Sequence, residues 1–376
     1  MASRSRSPRL RLERVTAPSR LVTVLVPVAS ILLALVLGAV LILSTGENPL
    51  AVYRAMFAGA FGTGDAFAET LVKTTPLLLA GLGVAIAFQM QLWNIGAEGQ
   101  IYLGAIAATG TGLFLVPGWP APALVAAMVL AGLLGGAAWG IIPGALRAFL
   151  GANEIITSLM LNYVAILFAE YLVHGPWRDP AAFGFPGTPR LPNAASLPAW
   201  ETTRVHLGLG FGLVAAVALW LVLRRTRWGF EIGVTGENPR AARYAGMPAK
   251  RTIIMVMALS GALAGLAGMS EVAGIGHQLQ RNLSPGYGYT AIIVAWVGRL
   301  HPAGIVLVAV LLAGLLVGGD QIQMTMGLPA AIAPMLQGII LFCLLGGDVL
   351  TRYRLRLAPP TPAADPSAPR LDSSHG

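Results

Sequence analysis

The feature that most constrains this chain is a series of apolar stretches, each long enough to cross a lipid bilayer as a helix. About 20 consecutive apolar residues span the hydrocarbon core, and the chain is 56% hydrophobic with only 11% charged residues. Backbone groups inside lipid must be satisfied within the chain, which leaves helices and closed barrels. These stretches do not alternate as barrel strands do. The sequence therefore predicts an all-α fold, a polytopic membrane helical bundle.

About ten transmembrane helices are predicted, at 21–43, 71–91, 97–116, 121–143, 154–173, 206–223, 252–274, 287–299, 303–318 and 329–346. The stretch 287–299 is short for a full crossing, so a half-helix or a re-entrant segment is an alternative. The transmembrane domain is then 21–350. Disorder is predicted for the basic arm 1–20 and for the tail 351–376, which is rich in Pro, Ala and Ser.

The distribution of basic residues predicts the orientation. Of the 25 Lys and Arg residues, 19 fall in the arm, the tail and the loops on one side of the predicted bundle, and 6 on the other. Cytoplasmic loops carry the excess of Lys and Arg, so both termini are expected in the cytoplasm. Because the charges lie in short loops between membrane spans, no nucleic-acid partner is predicted.

Polar groups occur at the start of the third apolar stretch, in "WNIGAEGQ" (93–100). Asn94 and Glu98 are four residues apart and would share a helical face, and Gln100 follows them. Ionisable residues at membrane depth usually face the bundle interior or a water-filled cavity. Asn94, Glu98 and Gln100 are therefore candidates for a substrate pathway. For Glu98 the alternative is a carboxylate that is stabilised by the dipole at a helix start.

A second polar face occurs in "NEIITSLMLNYVAILFAE" (153–170). Glu154, Ser158, Asn162 and Glu170 are separated by four or eight residues and lie on one helical face. Ser158 and Asn162 are predicted to line the pathway, while the two Glu residues could mark the helix ends. Hydrogen bonding between helices is the alternative.

Close helix packing is predicted where glycine recurs every four residues in "GLLGGAAWGIIPG", at Gly132, Gly136, Gly140 and Gly144. Small residues at this spacing let two helix backbones approach each other. Gly261 and Gly265 repeat the pattern.

The basic loop 224–251 contains "GENPRAARYAGM", in which an early Pro and a final Gly246 predict a short helix. This helix could lie on the lipid surface or dock onto a partner. Ala242 and Gly246, small and four residues apart, are expected to present a flat surface to such a partner.

Enzyme motifs are missing: the sequence has no Gly-rich phosphate-binding loop, no HExxH and no CxxC. No catalytic residue, metal site or cofactor is therefore predicted. An intramembrane enzyme stays possible but no nucleophile–base pair supports it. An ion-coupled secondary transporter of a polar solute is the alternative function, and it would need a buried titratable residue such as Glu98.

Three segments in this order, "NIGAEGQIYLG", "NEIITSLMLNYVA" and "GENPRAARYAGM", resemble the permease subunits of bacterial ABC importers for nucleosides and simple sugars. These belong to the branched-chain amino acid/ribose permease superfamily, and the resemblance covers about 20–350. It implies a transport subunit, not an enzyme, in the inner membrane, with a nucleoside as the expected solute. It also implies three partners: an ATPase with tandem nucleotide-binding domains, a second permease subunit and an extracytoplasmic solute-binding lipoprotein.

Within the loop, "AARYAG" is similar to part of the importer coupling-helix motif. The resemblance implies an ATPase-coupling helix built from Glu237, Asn238, Pro239, Ala241, Ala242, Tyr244 and Gly246. The Glu that usually precedes the two alanines is Arg240 here, and Glu237 lies three residues earlier.

Overall fold

The computed structural model describes residues 9–14, 20–181, 185–200, 203–329 and 331–358. These ranges contain thirteen α-helices and two short strands. In chain order they are β1 (Arg9–Arg14), α1 (Arg20–Leu43), α2 (Pro49–Phe61), α3 (Gly64–Gln89), α4 (Ala97–Gly110), α5 (Ala121–Leu150), α6 (Glu154–His174), α7 (Gly208–Arg225), α8 (Arg227–Glu237), α9 (Pro239–Tyr244), α10 (Ala249–Glu271), α11 (Tyr287–Val297), α12 (Pro302–Met326), α13 (Ile332–Arg352) and β2 (Tyr353–Ala358). Short π-helical turns extend α4 to Leu115 and α10 to Gly276.

The predicted membrane helical bundle is confirmed, and each predicted span overlaps a helix of the structure. Among the described residues, seven helices are long and apolar enough to cross a membrane. The count of ten therefore stays a prediction. Helix α2 was not predicted, because its 13 residues are too few for a span and Arg54 interrupts its apolar pattern.

The chain divides into two compact units, residues 39–337 and residues 1–38 with 338–376. In the second of these, β1 and β2 pair as antiparallel strands, with Arg9 opposite Ala358 and Arg14 opposite Tyr353. Disorder was predicted for the basic arm 1–20 and for the tail 351–376, but Arg9–Arg14 and Tyr353–Ala358 form strands. The sequences "RLRLER" and "YRLRLA" alternate with the two-residue period of a strand. The rest of the arm before Arg20 and the tail after Ala358 lie outside the described residues.

Helix α3 is the centre of the larger unit, where it packs against α7, α10, α11 and α12. Its residues from Thr74 to Phe88 are all buried. Glycines let two neighbours approach closely: a side chain at Gly81 would meet Val294 of α11, and one at Gly83 would meet the Ser260 carbonyl of α10. A helix of this hydropathy with almost no surface left for lipid can only be the core of the bundle.

The predicted glycine face of α5 lies against α10. A Cβ atom added at Gly136 would collide with the backbones of Gly261 and Gly265, and one at Gly140 would collide with the Met257 carbonyl oxygen. Gly132 and Gly144 face the Met269 and Met257 side chains. The two helices therefore meet backbone to backbone, which only glycine permits.

Helix α11 has only 11 residues, about 16 Å of length at 1.5 Å per residue, half of a bilayer core. After its C-terminal end, the Leu300 carbonyl accepts a hydrogen bond from Gln89 at the end of α3 (3.0 Å). Its N-terminal end is buried within the bundle, beside Glu98. Of the alternatives for 287–299, the structure shows a half-helix that begins inside the protein.

Candidate functional site

The polar residues of "WNIGAEGQ" surround a break in helical structure between α3 and α4. Residues 91–96 are not helical, so their backbone groups need other partners inside the bundle. Asn94 accepts a hydrogen bond from the Gly96 amide (3.0 Å) and donates to Gln100 (3.0 Å) and Ser260 (2.8 Å). The Gln100 amide donates back to Asn94 at 3.2 Å. The Asn94 and Gln100 side chains therefore stabilise the non-helical segment 91–96 by hydrogen bonds.

The polar face of α6 completes this arrangement from the other side. Asn162 donates to the Ile95 carbonyl (2.8 Å) and accepts from the Gly99 amide (2.8 Å). Ser158 accepts from the Ile95 amide at 3.2 Å. Glu154 receives the Trp93 amide (3.5 Å) and pairs with Arg147. Three consecutive turns of α6 thus bind the backbone of one short segment.

Glu98 connects α4 to the buried start of α11. Its carboxylate accepts the Gly288 amide at 2.7 Å and also bonds the side chain of Ser284. A side chain at Gly288 would collide with the backbone of Glu98, so the two helix starts touch directly. The positive ends of two helix dipoles therefore meet at one carboxylate, which offsets the cost of burying it.

All five predicted pathway residues (Asn94, Glu98, Gln100, Ser158 and Asn162) are buried, and the structure brings them together. Their described hydrogen bonds are to this chain itself, mostly to backbone groups. Contact with a solute therefore stays a prediction for each of them. For Glu98, the geometry matches the alternative of a carboxylate at a helix start, although the start lies inside the bundle.

Further polar residues on the apolar helices were missed. Glu271, at the end of α10, and Gln337, on α13, are both buried. Lys73 of α3 forms an ion pair with Asp320 of α12. A carboxylate within the predicted span 252–274 was a sufficient signal for Glu271. The other residues could not have been grouped, because they are far apart in sequence.

The predicted short helix is α9, whose N-terminus is capped by Asn238 through the amides of Arg240 (3.1 Å) and Ala241 (3.0 Å). Tyr244 is 99% exposed. Ala242 is fully buried, so the expectation that Ala242 and Gly246 form an exposed flat surface is wrong for Ala242. Gly246 lies in the turn after the helix, at a φ of 71° that favours glycine.

Helix α9 borders a surface depression of about 590 Å³ that is lined by Asn238, Arg240, Ala241, Tyr244 and Ala245. Of the predicted coupling residues, Glu237 is the last residue of α8, and Pro239 is the first of α9. The exposed surface here is therefore aromatic and basic.

Comparison with known proteins places this bundle in a family. The family described as "Branched-chain amino acid transport system / permease component" matches residues 66–345. The glucose ABC transporter permease protein TsgB13 of Haloferax volcanii is 37% identical over 88% of this chain and 90% of that protein. The guanosine ABC transporter permease protein NupP of Bacillus subtilis is 34% identical, over 86% and 93%. The nucleoside ABC transporter permease protein NupB of Lactococcus lactis is also 34% identical, over 85% and 90%.

The chain is therefore a permease subunit of an ATP-driven ABC importer, a membrane transport component and not an enzyme. It belongs to the branched-chain amino acid transport system permease family. Members of this family associate with an ATPase and a solute-binding protein.

Replacing Asn162 with Leu is expected to destabilise the fold rather than to change solute selectivity. The change leaves the Gly99 amide and the Ile95 carbonyl without their partner, at about 1–3 kcal/mol for each buried group. The midpoint of thermal unfolding of the purified protein should fall by at least about 2 °C.

The matched control is Thr109→Val, since Thr109 is equally buried but donates only within its own helix, to Ala105 at 2.8 Å. Unchanged thermal stability of the Asn162→Leu protein combined with a loss of uptake would assign Asn162 to solute contact instead.

Proposed function

We propose that this permease translocates a nucleoside or a chemically related neutral sugar. The observation that carries the proposal is the agreement among relatives that align over most of the chain: their names specify glucose, guanosine and nucleosides. All of these solutes carry several hydroxyl groups on a sugar ring and no fixed charge. Such a solute suits a bundle interior in which amides, hydroxyls and few charges are buried, because a charged solute would need a buried partner.

The second permease of the complex is proposed to be a different chain. Bacillus subtilis has two permease proteins named for guanosine, NupP and NupQ, and both align with this chain. Lactococcus lactis likewise has NupB and NupC. Paired permeases of this kind support a heterodimer here. The extracytoplasmic partner is proposed to be a lipid-anchored solute-binding protein.

The ATPase is proposed to carry tandem nucleotide-binding domains and to bind at α9. The exposed Tyr244 and the depression beside it form a site for a partner side chain. Aromatic residues and Arg are enriched at the energetic centres of protein interfaces. Because α8 and α9 pack against each other and α10 contacts both, a movement of α9 is transmitted to the bundle.

The chain is proposed to lie in the cytoplasmic membrane with both termini inside the cell. The basic loop 224–251 supports this orientation, since it carries Arg224, Arg225 and Arg227 together with α9. An ATPase must meet the permease on the cytoplasmic side.

The function is tested by uptake into vesicles that contain this chain, its partner permease and the ATPase. Guanosine or glucose is expected to enter only when ATP is supplied on the ATPase side and the binding protein on the other side. Collapse of the proton gradient should make no direct difference. Accumulation by this chain alone in response to an imposed ion gradient would instead favour the secondary transporter.

Replacing Tyr244 with Ala is expected to reduce solute-stimulated ATP hydrolysis at least about tenfold, because residues at an interface centre contribute 2 kcal/mol or more. The purified protein should keep its thermal stability, since the side chain makes almost no contact within the chain. Tyr171→Ala is the matched control, a Tyr on α6 that is 64% exposed. Equal rates of ATP hydrolysis for both variants would show that the ATPase does not dock at α9.

The orientation is tested with single cysteines in a Cys343→Ala background, since Cys343 is the only cysteine. A cysteine at the exposed Asn193 should react with a membrane-impermeant thiol reagent in whole cells, and one at the exposed Arg227 should not. The opposite labelling pattern would show that the chain has the inverted orientation in the membrane.

A further inference from the structure

A strip of charged side chains runs along α3 from the start of the helix toward the core of the bundle. Asp65, Glu69 and Lys73 follow each other at intervals of four residues, so they lie on one face of the helix. Glu69 pairs with Arg204, which precedes α7, at 3.3 Å, and Lys73 pairs with Asp320 of α12. We call these five residues the α3 charged strip.

The strip reaches below the membrane surface. Helix α3 has 26 residues, which gives a length of about 39 Å and places Lys73 about 14 Å from its start. A helix of this length that is centred on a hydrocarbon core of about 30 Å projects about 5 Å at each end, so the Lys73 backbone lies about 9 Å inside the core. From Thr74 to Phe88 every residue of α3 is buried. The strip therefore ends where α3 enters the interior of the bundle.

The strip begins at the end of α3 that lies away from the proposed ATPase site. The other end of α3 lies against α8, because a Cβ atom added at Gly236 would meet the Gln89 carbonyl oxygen. Helix α8 leads directly into α9, where the ATPase is proposed to bind. A solute that is imported approaches from the opposite side. The strip therefore begins on the side from which the solute enters.

The exposure of Asp320 indicates that the strip faces water or protein rather than lipid. Its side chain is 55% exposed, although α12 is a long apolar helix. Ionisable groups within such helices face a water-filled cavity or another protein. Leu311 of α12 is also 55% exposed, but the nine residues between it and Asp320 are two and a half turns. Helix α12 thus exposes an apolar side chain on one side, which suits lipid, and a charge on the opposite side, which does not.

The paired charges of the strip suit a neutral solute that carries several hydroxyl groups. The carboxylates of Glu69 and Asp320 accept hydrogen bonds, and their basic partners donate them. Hydrogen bonds to charged groups are stronger than those between neutral groups. Because each of these carboxylates has a cation beside it, the two pairs carry no net charge that would retain an ion. A packed interface with the second permease would instead bury the four charges, at a high desolvation cost.

We propose that the α3 charged strip lines the entrance of the solute pathway and binds the sugar hydroxyls of the entering solute. This inference rests on the proposed function, because it names the surface at which that solute first meets this chain. As the solute moves from the level of Glu69 to the level of Lys73, it exchanges hydrogen bonds with water for hydrogen bonds with these charged side chains.

Contact of the strip with water is tested by comparing Asp320→Cys with Leu311→Cys, each in a Cys343→Ala background and in the full complex in vesicles. The two positions are equally exposed on opposite sides of α12. A membrane-impermeant thiol reagent, supplied on the binding-protein side, should label this chain in the Asp320→Cys complex and not in the Leu311→Cys complex. Mass spectrometry of this chain measures the labelling. Absence of labelling in the Asp320→Cys complex would overturn the inference.

Contact with the solute is tested by removing both charges of the deeper pair, with Lys73→Met and Asp320→Leu combined. The double change leaves no unpaired charge behind. The maximum rate of guanosine uptake should fall at least about tenfold, because hydrogen bonds from two charged groups are lost. ATP hydrolysis without solute should stay unchanged. The reversed pair, Lys73→Asp with Asp320→Lys, keeps a donor and an acceptor and should restore most of the uptake.

The matched control is Arg281→Met combined with Glu170→Leu, which removes a partly exposed ion pair (3.2 Å) that lies outside the strip. Uptake by the Lys73→Met, Asp320→Leu complex equal to that of this control would overturn the inference. Loss of co-purification with the second permease would also overturn it, because the strip would then belong to the interface between the two permeases. Absence of ATP-driven uptake by the unmodified complex would instead overturn the proposed function. If the double variant does not fold, Glu69→Gln decides by the same uptake measurement.

Discussion

The structure depends on one constraint: the backbone between α3 and α4 leaves the helical conformation inside an apolar bundle. Each amide and carbonyl there needs a partner from the protein, because lipid offers none. Asn94, Ser158 and Asn162 supply these partners, at 2.8–3.2 Å. Glu98 does the same for the start of α11. These buried polar residues therefore stabilise the fold before they serve any other role.

This arrangement positions the elements that transport requires. The half-helix α11 starts at Glu98, in the interior, and Thr290 on α11 donates a hydrogen bond to Gln337 of α13. The glycine contacts between α5 and α10 bring the two helix backbones together, which restricts sliding of one helix along the other. Because α10 contacts α9 and also packs against α3, α4 and α5, a partner acting on α9 has a mechanical connection to the core of the bundle.

Much of this could be predicted from the sequence, for physical reasons. Apolar length predicts the helical bundle, the glycine spacing indicates the approach of α5 to another helix, and the Pro–Gly pattern indicates α9. The four-residue spacing on α6 identified a polar face, but its partners could not be predicted, because Asn162 contacts residues more than 60 positions away. Ala242 was misjudged since periodicity does not tell which face of a short helix is buried. The contacts of Gln337 and Lys73 could not be predicted, because their partners lie on other helices far away in the sequence.

The central claim is that side chains satisfy the non-helical backbone inside the bundle. Hydrogen–deuterium exchange of the purified permease in lipid nanodiscs tests it most directly, through peptides covering 91–100 and 284–290. The account predicts that the Gly99 and Gly288 amides exchange as slowly as amides in the middle of α3, since both are buried and hydrogen-bonded. Exchange as fast as in an exposed loop would contradict it.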